Sequence, residues 1–406
     1  GQGYAGAWRR PMIDPSDPLV APAAPATPYF ANAAAGLMTA PVLEAVIAHL
    51  RRESEIGGMA AAVEAEPRLA AAYAAAARLL NADPSEIAFV EGGNSGLKSL
   101  IASVGLKAGD RVLLDRAAWG GIFAMLTSLP DVAVELAPVD AFGRVNVTAL
   151  AASARTAAGP PPRLVLLTWA PATNGLINPA AEIGALAAEW GSTYIIDACQ
   201  AVGQIPADVA ALRCHALIAS GRKWLRGPRG TGVLFASKGF LEATSPHMPD
   251  QFAAPAGSGG WRPRADARRY ETGEAFVAGR LGLGAAIDGA LALGVDAVQA
   301  QIAVSAQRLR AELSAFPAVT VHDAGPAPAG RNLSGLVTFS VAGRSAGEVA
   351  ASLQTRRGVA VSAIAAAYAP HDMAARGLAA VVRAAPHTFT READIQALIA
   401  GVAEVS

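Results

Sequence analysis

The chain has 406 residues with 33 Lys plus Arg against 33 Asp plus Glu, so no net field gathers nucleic acid or an anionic membrane. Its 52% apolar content is largely alanine, and no stretch reaches the roughly 18 strongly apolar residues that suggest a membrane span. Only Cys199 and Cys214 occur, which argues against a disulfide framework or a cysteine-rich metal site and makes a reducing, cytoplasmic compartment the default.

The length suits two units, a large one and a smaller partner. The first stretch, 1–28, carries six prolines and little periodicity. It reads either as an arm over another surface or as a loose tail. Helical spacing follows from Pro41 to Arg52, with Val42, Val46, Ile47 and Leu50 on one face, and again over the alanine-rich Arg68 to Leu80.

Short apolar runs then alternate with helical or turn-rich stretches. They are Ile87–Val90, Val112–Leu114, Val132–Leu136, Leu164–Thr168, Tyr194–Ile196, Ala216–Ala219 and Gly232–Phe235. That rhythm predicts an α/β unit with a doubly wound, mostly parallel, seven-stranded sheet. In such sheets ligands sit beyond the carboxyl ends of the strands.

A helical pattern from Val277 through Leu313 is long enough to bridge two domains. Weaker strands at Val319–Val321, Leu336–Ser340, Val359–Ser362 and Ala380–Arg383 follow, with helices near Gly347–Thr355 and from Arg391. We expect an arm over 1–28 and a large domain over 29–280, whose first segment can join the smaller unit. A small α/β domain over 281–406 completes the chain.

The chemistry concentrates at the strand ends. Ser220-Gly221-Arg222-Lys223-Trp224 follows the run Ala216–Ala219, and the loop Gly227-Pro228-Arg229-Gly230-Thr231-Gly232 comes next. Lys223 alone reads equally as a solvated lysine, but glycines in the neighbouring loop let backbone approach a ligand closely. One strand earlier, Asp197 ends an apolar run, where it either caps the next turn or meets a buried cation. The protonated ring nitrogen of pyridoxal phosphate is such a cation. Glu91-Gly92-Gly93-Asn94-Ser95-Gly96, between a strand and a helix, offers backbone N–H groups and a helix dipole to a phosphate. Ser220 and Arg222 would complete that anion pocket. Trp119 can lie on a flat ring or sit in the core.

Several stretches together resemble the class V aminotransferase-like enzymes of pyridoxal-phosphate fold type I, among them cysteine desulfurases, isopenicillin epimerases and sulfoxide lyases. They are Tyr29-Phe30-Ala31-Asn32-Ala33-Ala34-Ala35-Gly36, Asp197-Ala198-Cys199-Gln200, Ser220 to Trp224, Gly227 to Gly232, Glu271-Thr272-Gly273 with Val277-Ala278-Gly279, and Val382-Arg383-Ala384-Ala385-Pro386-His387. The resemblance runs from about Tyr29 to the C-terminus. It implies Lys223 as the lysine that carries the cofactor, Asp197 at the ring nitrogen, Gln200 at the ring hydroxyl and Trp119 stacked on the ring. Gly93, Asn94, Ser220 and Arg222 would hold the phosphate, and Arg383 and Asn32 fall on the substrate side, with Arg383 clamping the α-carboxylate. It also implies an amino-acid substrate and a homodimer.

This chain departs from the family at three places. Ala172 stands where relatives place Asn or Ser near the ring hydroxyl, leaving Thr173 or Asn174 as substitutes. The region Gly358 to Tyr368, which in cysteine desulfurases carries the nucleophilic cysteine, has none. Gly273-Glu274 replaces the usual Gly-Thr that reaches a neighbouring subunit's phosphate, and with Glu53-Ser54-Glu55-Ile56-Gly57-Gly58 it is similar to ergothioneine-pathway sulfoxide lyases. The expected reaction is C–S cleavage of a cysteine conjugate or sulfoxide, followed in order by transamination, epimerisation and a silent cofactor-binding role.

Overall fold

In the computed structural model, which describes residues 13–24, 27–129, 131–156, 159–323 and 333–406, two sheets organise the chain. The larger holds β1 (Ile87–Val90), β2 (Arg111–Leu114), β3 (Ala133–Leu136), β4 (Leu164–Thr168), β5 (Thr193–Asp197), β6 (Ala216–Ser220) and β7 (Gly232–Ala236), in the order β1-β7-β6-β5-β4-β2-β3. Only β7 runs against its neighbours β1 and β6; the other pairings are parallel. All seven predicted runs become strands, shifted by no more than a residue at either end.

Both faces of this sheet are covered, which is why its inner strands are unbroken apolar runs. Leu167, Ile196 and Leu217 point to one face with Tyr73, Leu80 and Ile183, while Leu166, Ile195 and Ile218 point to the other with Leu100 and Ile122. The period-2 alternation thus sorts neighbouring residues into two separate cores.

After a short hairpin, β8 (Ala256–Gly257) and β9 (Gly260–Trp261), the smaller sheet forms from β10 (Val319–Val321), β11 (Val337–Val341), β12 (Ser362–Ala365) and β13 (Ala380–Ala384). Its order is β10-β11-β13-β12, all antiparallel. Leu309, Leu353 and Leu398, from the helices Val295–Leu313, Ala346–Arg357 and Glu392–Ala403, pack with Phe339 and Val382 of this sheet.

Two expectations are corrected here. The bridging helix Val277–Leu313 breaks at Gly294, whose φ of 78° no helix admits, into Val277–Leu293 and Val295–Leu313, bent by 82°. The strand expected at Val359–Ser362 forms three residues later, because Ala360 is taken by the N-terminal segment: Phe30 N donates to Ala360 O and Ala360 N to Pro28 O, at 2.8 and 2.9 Å. Phe30 O in turn accepts from Ala385 N at 2.7 Å.

The described part of the opening stretch is packed on its own chain. Ile13 and Val20 are buried with Trp224, Leu336 and Phe389, and Val20 O accepts from Arg226 Nη1 at 2.6 Å. The rest of that expectation, residues 1–12 and 25–26, lies outside the described residues. No single described helix is long and apolar enough to cross a membrane.

Candidate active site

The carboxyl ends of β4, β5 and β6 open into a cavity of about 490 Å³, closed on the far side by residues of the smaller sheet. Parallel pairing sets Thr168, the last residue of β4, beside Asp197, the last of β5. Lys223 follows β6 by three residues. The helix Gly93–Val104 leaves β1 and lies on the sheet with its first turn at the cavity, where the N–H groups of Gly93 and Asn94 have no place in the helical ladder. A Cβ on Gly93 would collide with Cys199 Sγ and crowd Ser220 Oγ at 3.2 Å, so this close approach requires glycine.

Of the residues singled out in the sequence, Gly93, Asn94, Trp119, Asp197 and Gln200 line the cavity, as do Ser220, Arg222, Lys223 and Arg383. Asn32, expected on the substrate side, is not on the wall. It is buried, and its Nδ2 donates to Ala385 O at 2.8 Å, which ties the N-terminal segment to the end of β13. Thr173 and Asn174 are the expected substitutes for the family's Asn or Ser at Ala172. Both lie off the wall, and Asn174 Oδ1 is taken by Leu176 N at 3.0 Å.

The side chains are held in place. Gln200 donates from Nε2 to Ala33 O at 3.0 Å and accepts from Trp224 Nε1 at 2.8 Å, which leaves one of its amide hydrogens unspent. Asp197 is buried and accepts from Cys199 N at 3.0 Å through Oδ1. Lys223 Nζ lies 5.9 Å from the Trp119 ring centroid. Arg383, buried, donates from Nη1 to Ala172 O at 2.9 Å.

The electrostatics call for an anion. Arg222, Arg229 and Arg383 join Lys223 on the wall, and among the described residues none of the four makes an ion pair with a carboxylate. Burial, helped by Arg222, lowers the Arg383 guanidinium to about 10. Burial also lowers the Lys223 ammonium, Arg383 and Arg222 push the same way, and Asp197 opposes them. A phosphate at the helix start and a carboxylate at Arg383 would satisfy this cluster. The Thr168 hydroxyl, buried beside Asp115, and the carboxylate of Asp197 suit a flat polar ring between them and Trp119.

Four wall or near-wall residues have no assigned role in the sequence reading: Thr168, Arg229, Tyr368 and, behind Thr168, Asp115. Asp115 follows β2 and accepts from Thr168 N at 2.7 Å through Oδ2. Burial, aided by nearby Asp197, pushes its carboxyl up to about 7. An acid directly after an apolar strand was the available signal, the same one that marks Asp197. Glu274 is exposed and off the wall.

A strand-end lysine, an aspartate one strand away, a glycine-led helix start and a tryptophan thus meet in one cavity. The sequence matches the Aminotransferase class-V family over residues 28–398, and the chain belongs to that family, whose cofactor is pyridoxal 5′-phosphate. It is 29% identical over 391 residues to a probable hercynylcysteine sulfoxide lyase of Mycobacterium tuberculosis (strain CDC 1551 / Oshkosh), covering 92% of this chain and 90% of that one. It is 31% identical over 270 residues to a cysteine desulfurase of Enterobacter sp. (strain 638), covering 64% and 65%. In fold it is similar to the cysteine desulfurase CsdA of Escherichia coli, with TM-score 0.82, 22% identity and 93% and 94% of the two chains covered. The cystine C–S lyase C-DES, in complex with its product cysteine persulfide, gives TM-score 0.80 at 24% identity, with 93% and 97% covered.

Proposed function

We propose that this enzyme is a C–S lyase that cleaves a cysteine conjugate or sulfoxide. The observation that carries this reading is the segment 362–368. It reaches the cavity where a desulfurase would present its nucleophilic cysteine, but it offers Ile364 and Tyr368. The two thiols present are buried, Cys199 at the cavity wall, and burial pushes both up to about 12, which disfavours the thiolate form of either. Sulfur must then leave without being captured by the protein. The near full-length likeness to a probable sulfoxide lyase supports the same reading.

When bound, the cofactor supplies an electron sink for the pair released at the substrate's Cα. The chain's own residues take the following parts. Lys223 would carry the cofactor and, its ammonium lowered by burial and by two neighbouring arginines, would accept the Cα proton. Asp197 would keep the ring nitrogen protonated, Gln200 would offer its spare N–H to the ring hydroxyl, and Trp119 would cover the ring. Gly93, Asn94, Ser220 and Arg222 would hold the phosphate. Arg383 takes the α-carboxylate, and Asn32 serves the substrate side only indirectly, by anchoring the strand end next to Arg383.

We take the active form to be a cytoplasmic homodimer. Met59 and Val63 on the helix Gly58–Leu80, with Trp261 and Phe276, leave large apolar side chains exposed, as a self-association surface requires. Product analysis tests the reaction. An S-substituted cysteine should yield pyruvate, ammonia and the free sulfur compound in equal amounts. A 2-oxo acid that keeps the sulfur side chain, or racemised substrate without pyruvate, would reject cleavage.

A further inference from the structure

Tyr368 belongs to a segment fixed over the cavity by four independent contacts. The Ala367 carbonyl packs so tightly on Gly120 that a Cβ there would collide with it. Ala366 N donates to Ala379 O at 2.8 Å. His371 lies with its ring centroid 4.5 Å from that of Phe123. Asp372 pairs with Arg116 at 3.0 Å and with Arg376 at 2.9 Å. The Tyr368 ring rests on Trp119, centroid to centroid 4.8 Å and tilted by 30°. It is also near enough to act on the charge of Arg383. Its hydroxyl makes no hydrogen bond among the described residues, and the residue is 41% exposed, on the cavity wall.

The substrate's own geometry indicates what this phenol faces. With the α-amino group at the cofactor, the α-carboxylate at Arg383 and the α-hydrogen toward Lys223, three of the four substituents of Cα are accounted for. The fourth, the sulfur-bearing side chain, is left with the wall that Ile364 and Tyr368 form. Thiolates and sulfenates are poor enough leaving groups that a proton donor at sulfur lowers the barrier.

We propose that Tyr368 is the acid that protonates the departing sulfur, an assignment that rests on the lyase reading above. The Cβ–S bond breaks and its electron pair leaves with sulfur, which takes the phenolic proton. The pair from the Cα–H bond closes the Cα=Cβ double bond, and Lys223 keeps the Cα proton. Water reprotonates the phenolate, and hydrolysis of the three-carbon enamine gives pyruvate and ammonia with no oxidant or reductant consumed.

The experiment compares wild-type holoenzyme with Tyr368→Phe on two substrates, an S-alkylcysteine and β-chloroalanine, whose chloride leaves without a proton. Calorimetric binding of a non-eliminating analogue, α-methylserine, is measured alongside. The variant should lose on the order of 100-fold or more in kcat on the S-alkylcysteine. It should retain its rate on β-chloroalanine and its affinity for the analogue. Equal losses on both substrates, with weaker analogue binding, would make Tyr368 a structural wall only. Unchanged rates on both would remove it from the reaction. Pyruvate from neither substrate with the wild type would defeat the lyase reading itself, an outcome distinct from either result on the variant.

Discussion

Asp372 and Arg116 meet at 3.0 Å, joining the helix Pro370–Ala375 to the loop after β2 through a carboxylate only 1% exposed. Arg376 and the Asn174 amide use the other oxygen of the same carboxylate, at 2.9 and 3.4 Å. This knot fixes the cavity-facing turn that precedes it.

Replacing Asp372 with Ala leaves two arginines without their acid. Losing one side of a fully buried pair costs roughly 3–5 kcal/mol. Both arginines keep about a fifth of their surface in water. A loss of about 2–3 kcal/mol in urea unfolding is therefore expected for Asp372→Ala. A midpoint unchanged from wild type would show that the knot does not stabilise the fold.

Arg383 should govern recognition of the substrate carboxylate and not cofactor retention, because the phosphate contacts assigned above come from elements between Gly93 and Lys223. Losing a charge-assisted bidentate contact costs on the order of 2–4 kcal/mol, which is roughly a 30- to 1000-fold fall in kcat/KM. Arg383→Lys should recover part of this, since an ammonium cannot reproduce the planar fork. Kinetics on amino acids and on their carboxyl-free amines decide the matter. A variant that still discriminates against the amine as strongly as wild type would free Arg383 of the role.

Much of this arrangement was legible in the sequence. Parallel strands covered on both faces are continuous apolar runs, so β4, β5 and β6 and the residues at their ends could be found without coordinates. The break at Gly294 could not, because one glycine in a helix costs only about 1 kcal/mol and the apolar periodicity continues on both sides. The offset of β12 had a similar cause. Val359-Ala360-Val361-Ser362-Ala363-Ile364-Ala365 has no alternation to set a boundary, and pairing with the distant Phe30 segment decided it. Tyr368 reaches the site only through tertiary packing, and nothing local marks it, whereas Asp115 carries the same strand-end signal as Asp197. Asn32 shows the opposite case, a motif residue whose side chain folds away from the cavity it was expected to serve.

Asp115 gives the fold a pH dependence with a definite sign. Its folded-state pKa, about 7, lies above the ordinary carboxylate value, so the folded state favours the protonated form. The stability it contributes is complete below the unfolded pKa near 3.8 and is lost as pH rises through about 7. Asp115→Asn cannot ionise, yet it can still accept from Thr168 N. Between pH 5.5 and 8.5 the melting temperature of the variant should therefore fall less than that of the wild type. Parallel curves for the two proteins would show that Asp115 is ionised throughout.

The claim that the cavity holds pyridoxal phosphate on Lys223 is tested most directly by trapping. Holoenzyme is reduced with borohydride, digested, and the cofactor-modified peptide located by mass spectrometry, with Lys223→Ala treated in parallel. The account predicts a single pyridoxyl-modified peptide containing Lys223 in the wild type and none in the variant. A modification on Lys98, Lys107 or Lys238, or the same yield from both proteins, would contradict it.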